Sequence, residues 1–542
     1  MGESIDAKLE RDVVNQRSPD SSPRTASVGS GRLGARPACF DSTIQEVLFV
    51  ITCTMAIALS SMTAGVVSVI TSFVGRDLNM TNAEITWISA ASSLAAGSFL
   101  LFFGKLADLF GRRSMFVVSL FTFSILALGA GFARKPVQLD VLCGFIGLMS
   151  AGAVPSAQGM LSTAYDQPSR RKNAAFACFS SGNPLGFVFG MLSGGIASQI
   201  FSWRASFWFL ALVYCLFTVI AAFTIPRDTV PRQPFNTHTL GRFDLLGVLL
   251  TIVGTGTFSA ALSLGSQVAN GWKTGYVIAL LVVGVICMVS FVIWELYCPT
   301  PLLDMHIFRD RNFSLLLAIL LLGFMSFSSS AFWLSLYIQR VYRTSSIMTA
   351  VYLLPMAIAG LMVNVVAGAV MHRISNKLLM GIAASAFTLA YLLFALNATR
   401  YPFWAMLFLG QVFSVVGVDL QFNVVNMYVM SSLPKDQQSV AGGFFQMTTR
   451  LVNTIGLGVT TALFSSVERN PPKSGLHAGD PAAPYSATFW FATAACGLSL
   501  LLVPWLTIRT QGHSEKKENE EMNAVAAYNV TLNREKDTDA HI

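Results

Sequence analysis

Two charges stand apart from every other ionisable residue of this 542-residue chain. Of 28 acidic residues, Asp419 is the one that lies neither in a tail, nor in a loop, nor within a turn or two of the end of an apolar run. Of 36 basic residues, Arg450 is the one at similar depth. Each costs several kcal/mol if left alone in hydrocarbon, so each needs a partner or an aqueous hollow. At about 1.5 Å of rise per residue both sit roughly 18 Å from the same side, close enough in level to pair. Asn423 and Asn426 follow Asp419 at i+4 and i+7, and Gln446 and Asn453 flank Arg450 at i−4 and i+3, so each charge shares a helix face with amides. Gln158 and Asn364 add polar groups from two further runs. Burial and a neighbouring opposite charge act on an acid's proton affinity in opposite senses, so a contact made in one conformation only would couple proton binding to shape. A permanent structural ion pair is the competing reading of the same two residues. No histidine falls within a run, so Asp419 is the leading proton carrier by elimination.

Those residues are positioned by a chain that is 53% hydrophobic and 12% charged, against about 25% charged in an average soluble domain. Fourteen apolar runs are each long enough to cross a hydrocarbon core of about 30 Å as a helix. Lipid requires each span to satisfy its own backbone hydrogen bonds, so the expected fold is an all-α polytopic membrane protein. The runs are placed at 47–71, 87–103, 115–132, 139–163, 174–198, 206–225, 245–266, 275–296, 313–338, 347–371, 378–396, 402–429, 439–465 and 486–506. The expected organisation is a disordered tail over 1–43, a six-helix bundle over 44–226, a linker with two extra spans over 227–312, a second six-helix bundle over 313–508 and a disordered tail over 509–542. An even number of spans brings both ends to one side. Short loops on that side hold 14 Lys and Arg against 10 on the other, which puts both termini in the cytoplasm. Of the Asn-X-Ser/Thr sequons, Asn79 and Asn397 fall in outside loops and are the glycosylation candidates.

The net charge of +8 is scattered through loops and tails with no aromatic-interleaved patch, so nucleic acid is not an expected partner. Eight cysteines show no CxxC spacing, and neither a metal site nor a cofactor is expected. The chain lacks G-x-x-x-x-G-K-[ST], which disfavours an ATP-driven pump, and no nucleophile-base constellation suggests an enzyme.

The sequence repeats itself. Gly104, Leu106, Asp108, Gly111, Arg112 and Arg113 recur as Gly368, Val370, His372, Ser375, Asn376 and Lys377 at an offset of 264. Phe179 and Gly190 recur as Phe445 and Gly456 at an offset of 266. GKLADLFGRR, from Gly104 to Arg113, resembles the loop signature G-x-L-x-D-x-x-G-R-R/K of the major facilitator superfamily. SGNPLGFVFG in the fifth run, with Gly182, Pro184, Gly186 and Gly190, resembles the glycine-proline signature of its antiporter branches, and WRASFWF from Trp203 resembles their entry into the sixth span. With fourteen spans and GVDLQF in the twelfth, the chain is similar over about residues 45–508 to the fungal 14-span drug:proton antiporter type. It departs from that pattern at Cys143, where an arginine is usual, at Asn183 and Phe187, where glycines are usual, and in a first span without an acid.

The resemblance implies a major facilitator fold of two six-helix bundles plus two helices. It also implies a latch at the first loop, in which Asp108 accepts from a helix amino end of the other bundle and Arg112 and Arg113 bridge acidic partners. A topology signal alone is the plainer reading of those arginines. The glycines of the fifth span would either seal the contact between bundles or serve ordinary helix packing. The expected function is proton-coupled export of hydrophobic or amphipathic small molecules by alternating access, with Arg450 either modulating Asp419 or receiving an anionic substrate. Uptake by symport and a solute receptor without transport are the alternatives. A monomer is expected in the plasma membrane, or else in the vacuolar membrane, with a small-molecule substrate, protons and the bilayer as partners.

Overall fold

The computed structural model describes residues 36–508 except 38, 81, 166–168, 227–243, 266–270, 345, 372, 398–400, 473, 475 and 476. His372 of the repeated loop and nearly all of both tails lie outside the described residues. Fourteen of the helices are long and apolar enough to cross a membrane: α1 (Thr43–Asp77), α2 (Asn82–Phe110), α3 (Arg112–Ala130), α4 (Pro136–Ala164), α5 (Arg170–Ile200), α6 (Trp203–Thr224), α7 (Leu245–Gly265), α8 (Gly275–Tyr297), α9 (Arg311–Arg340), α10 (Ser346–Val370), α11 (Asn376–Leu396), α12 (Leu407–Ser432), α13 (Gln438–Arg469) and α14 (Ala483–Leu502). They correspond one to one with the fourteen apolar runs, and the chain is an all-α, multi-pass membrane protein.

Local chemistry sets the helix ends. Ser42, Ser169, Ser375 and Asp310 accept from backbone N–H groups in the first turns of α1, α5, α11 and α9, capping donors that no carbonyl reaches. Pro136 opens α4, where a missing N–H is harmless. Gly111 joins α2 to α3 at φ 109°, a left-handed conformation that side chains resist. Large apolar side chains face outward, as Val118, Phe121, Ile125 and Leu128 do along α3 at three- and four-residue spacing. A soluble protein would not carry so broad an apolar face, whereas lipid solvates it.

α1 to α6 pack among themselves, led by α1 on α5 and α2 on α4, and α9 to α14 do likewise, led by α11 on α12 and α14. The same joint serves both sets. A Cβ on Gly190 of α5 would come within 2.9 Å of the Met62 Cα on α1, and one on Gly456 of α13 within 3.0 Å of the Met325 carbonyl carbon on α9. The two sets meet along α2 and α4 against α13, and along α5 against α10. α7 rests on α2 and α13, and α8 rests on α7. Burial follows this order: the apolar window of α12 is 72% buried and that of α8 only 17%, so α12 lies inside and α8 at the rim.

Candidate functional site

The side of the molecule where α1 begins is here called the amino-terminal face. There α2 ends against the start of α13, and a Cβ on Gly104 would stand 2.6 Å from the Ser439 carbonyl oxygen, so only glycine permits this approach. Asp108, one turn on, accepts hydrogen bonds from the backbone N–H groups of Ser439 (3.1 Å) and Val440 (2.9 Å) in the first turn of α13. A carboxylate on the free donors of a helix amino end gains from both the hydrogen bonds and the helix dipole. Arg112 pairs with the same carboxylate at 2.7 Å. It also donates to the Gly159 carbonyl at 3.3 Å, to Thr163 and to the Lys435 carbonyl at 2.6 Å. Ser162 donates to Gln438 beside it. The contact therefore ties α2 to α4 to α13, and it is closed in this conformation.

Two details differ from the expected latch. Arg112 binds the acid of its own loop and backbone carbonyls, and Arg113 turns back within the first set to the Ala222 carbonyl of α6 at 2.5 Å. Ala222 lies in the last turn of α6, where carbonyls attract a cation without a carboxylate, and Lys435 lies in the turn that leads into α13. The glycines of α5 also divide their roles. A Cβ on Gly182 or Gly186 would stand 2.6 or 2.7 Å from the Thr54 or Ala58 carbonyl oxygen, so those two, with Gly190, bring α5 onto α1 inside one set. Pro184 faces the other way, its Cγ 3.4 Å from a Cβ position on Gly360 of α10.

Deeper in, the predicted polar residues separate into three groups. Asp419 on α12 is 9% exposed and its Oδ2 has no hydrogen-bond partner. A Cβ on Gly360 would stand 3.3 Å from that oxygen, so the carboxyl lies at the junction of α12, α10 and α5. Asn423 donates to the Asn364 side-chain oxygen at 2.9 Å and to the Asp419 carbonyl at 2.8 Å, while Ser180 of α5 donates to Asn423 at 2.7 Å. Asn364 in turn donates to the Gly360 carbonyl at 2.9 Å. The second group, nearer the amino-terminal face, is Gln158 of α4 donating to Asn426 at 3.1 Å. The third belongs to Arg450. Its stem passes 3.9 Å from a Cβ position on Gly97 of α2, and its Nη2 donates to Ser60 Oγ of α1 at 2.7 Å. Gln446 Nε2 and Asn453 Oδ1 are buried without partners on the same helix.

Among the described residues no ion pair joins Asp419 to Arg450 in this conformation, so the two do not form a permanent structural pair. α13 turns its charge toward α2 and α1, whereas α12 turns its acid toward α10 and α5. Matched depth fixes one coordinate of a side chain and leaves its azimuth free. Ser60 and Ser180 carry little signal in the sequence, because hydroxyls are common in membrane helices, and the same holds for Ser61, which bonds to the exposed Asn183. A pair of clasps has no sequence motif of its own: Tyr165 donates to Glu46 at 2.9 Å, and Tyr428 donates to Asp310 at 2.6 Å. Both the acids and the tyrosines are repeated at the offset of about 264 residues.

Of the sequon asparagines, Asn79 is exposed. Asn397 is 3% exposed and its Nδ2, the atom a glycan would occupy, donates to the Tyr337 hydroxyl at 3.0 Å. That candidate is withdrawn.

The model of the family described as Major Facilitator Superfamily matches residues 53–457 and 363–535. The chain is 26% identical over 456 residues to the low affinity ammonium transporter of Saccharomyces cerevisiae, covering 83% of this chain and 86% of that protein. It is 27% identical over 430 residues to efflux pump terJ of Aspergillus terreus, covering 78% and 82%. In fold it is similar to the human organic anion transporter MFSD10, with a TM-score of 0.57 at 14% identity, covering 85% of this chain and 98% of that one.

Proposed function

This chain belongs to the major facilitator superfamily, and on that premise we propose that it is a proton-coupled exporter of hydrophobic or amphipathic small molecules. The observation that carries this reading is Asp419, a carboxyl far from either end of its helix, with one oxygen unpartnered and, among the described residues, no ion pair. It lies where the two sets of helices meet, so any rocking of one set on the other changes its surroundings. Substrate and proton exclude one another there. The carboxylate that accepts a hydrogen bond or a positive charge from the substrate is the group that must be neutralised before the empty carrier returns. Relatives named as efflux pumps and resistance proteins support the outward direction.

Residues 44–226 and 313–508 act as the two moving bundles, and residues 227–312 carry the accessory pair. Asp108 and Arg112 hold the amino-terminal face closed, and that face is cytoplasmic. Arg450, reaching from α13 to Ser60 on α1, adds a charge-assisted bond between the bundles and offers donors to polar parts of a substrate. The protein works as a monomer in the plasma membrane, or else in the vacuolar membrane. The test is flux of a compound panel in vesicles under an imposed pH gradient. The wild type is expected to move at least one compound against its gradient, and Asp419→Asn to lose the pH-driven component. Undiminished pH-driven flux in that variant would remove Asp419 from the mechanism.

A further inference from the structure

Outside the two bundles, Asp244 at the start of α7 and Glu295 in the last turn of α8 are 7% and 3% exposed. Their carboxyl groups converge on one point, since a Cβ built on Gly247 would run into Asp244 Oδ2 and stand 2.8 Å from Glu295 Oε1. Each has one oxygen already engaged. Asp244 Oδ1 accepts from the Trp294 indole N–H at 2.8 Å and from the Gly247 N–H at 2.9 Å, and Glu295 Oε2 accepts from the Leu303 N–H at 3.3 Å. The other two oxygens, Asp244 Oδ2 and Glu295 Oε1, are buried and have no donor. They close over Gly247, where a Cβ would lie 2.8 Å from Glu295 Oε1. The absent side chain leaves room for the two groups to meet.

Among the described residues no basic group answers this pair, and Asp244 is the ionisable group that acts on Glu295. From α2, Lys105 ends on the Pro301 carbonyl at 3.2 Å. In the turn that follows α8, Asp304 and His306 pair with each other at 2.8 Å, both exposed, and Arg309 acts on Asp304. Lys273 lies at the opposite end of α8, and the charge of α13 nearest its middle, Arg450, is held at Ser60. Two carboxylates in contact in a buried site cannot both be ionised without a cation between them. A single proton between the two orphaned oxygens would satisfy both at once.

We propose that Asp244 and Glu295 together form a second proton-binding site, separate from Asp419, which holds one shared proton and fastens the accessory hairpin α7–α8 to the segment leading into α9. The proton belongs to the pair and to neither residue alone. With the proton in place, Leu303 and Trp294 stay bound and α7 keeps its seat on α2 and α13. With the proton lost, two facing negative charges push the hairpin away from the Leu303 segment. Stability contributed by the pair is therefore present below its titration and lost as the pH rises through it.

Infrared spectra of the purified full chain in lipid nanodiscs test this without any transport assay. Wild type minus Glu295→Gln, taken at about pH 7, is expected to show one protonated-carboxyl band that disappears as the pH is raised. Over the same rise the unfolding temperature of the wild type should fall by several degrees, and that of the variant should not, because the glutamine amide supplies the missing donor permanently. Asp244→Asn should give the same pair of results and stands in if Glu295→Gln does not fold. No difference band at any pH would overturn the proposal. So would a pair without a band whose stability collapses on chelation, since a bound metal cation would then occupy the place of the proton.

Discussion

Replacing Asp108 by asparagine should open the amino-terminal face. The carboxylate holds two backbone donors of α13 and is itself held by Arg112 at 2.7 Å. Hydrogen bonds to a charged group contribute about 1.5–3 kcal/mol each and neutral ones about 0.5–1.5 kcal/mol. Asparagine keeps the shape but offers one acceptor oxygen, so one bond becomes neutral and one N–H at the start of α13 faces an amide NH2. Together these changes weaken the closed arrangement by about 3 kcal/mol, or roughly 150-fold in the closed-to-open ratio. A carrier resting at about 99:1 in favour of the closed face would shift to roughly 40:60. Spin labels at Arg170 and Asp436, both exposed and on opposite sides of the contact, report the distance by pulsed electron resonance in nanodiscs. A second, longer distance population is expected in Asp108→Asn. An unchanged distribution in a folded variant would refute the reasoning, because it would mean that the bonds to Ser439 and Val440 do not bias the equilibrium.

Three further predictions follow from single contacts. Gly104→Ala should act in the same direction as Asp108→Asn and also lower the unfolding temperature, since its Cβ would meet the Ser439 carbonyl oxygen at 2.6 Å; wild-type behaviour in the same labelled pair would contradict the close approach of α2 and α13. On the opposite face, hydrogen bonds from Trp203 and Arg204 hold the Asp77 carboxyl below the usual aspartate range. The stabilisation is present at neutral pH and lost as the pH falls below about 4, so Asp77→Asn should lower the unfolding temperature slightly at neutral pH and not in acid. In a glycosylating host, Asn79→Gln should abolish any glycan-dependent shift in gel mobility, whereas Asn397→Gln should leave it intact.

The fold was legible in the sequence because lipid makes hydropathy decisive. A run of about 20 apolar residues has only one way to satisfy its backbone in hydrocarbon, and fourteen such runs became fourteen helices. The loop at Asp108 was legible through its resemblance to the family's loop signature, which implied that Asp108 caps a helix amino end in the other bundle. The central site was only half legible. Asp419, Asn364 and Asn423 do come together, and Gln158 does meet Asn426. Sequence depth said nothing of the direction in which Arg450 leaves its helix, and that direction depends on which face α13 presents to α2. The α5 glycines show the same limit: small residues announce a close contact without naming the partner, here α1 in place of the opposite bundle. Asp244 and Glu295 were hidden by their positions at span ends, where acids are ordinarily solvated. Only the fold of the hairpin brings the two together over Gly247.

Proton release on substrate binding tests the central claim most directly. Purified protein in weakly buffered detergent solution, titrated with a compound identified by the flux panel, is expected to release about one proton per chain in the wild type and none in Asp419→Asn. Equal release by both proteins would show that the proton exchanged for substrate sits elsewhere, and the account of Asp419 as the carrier would be wrong.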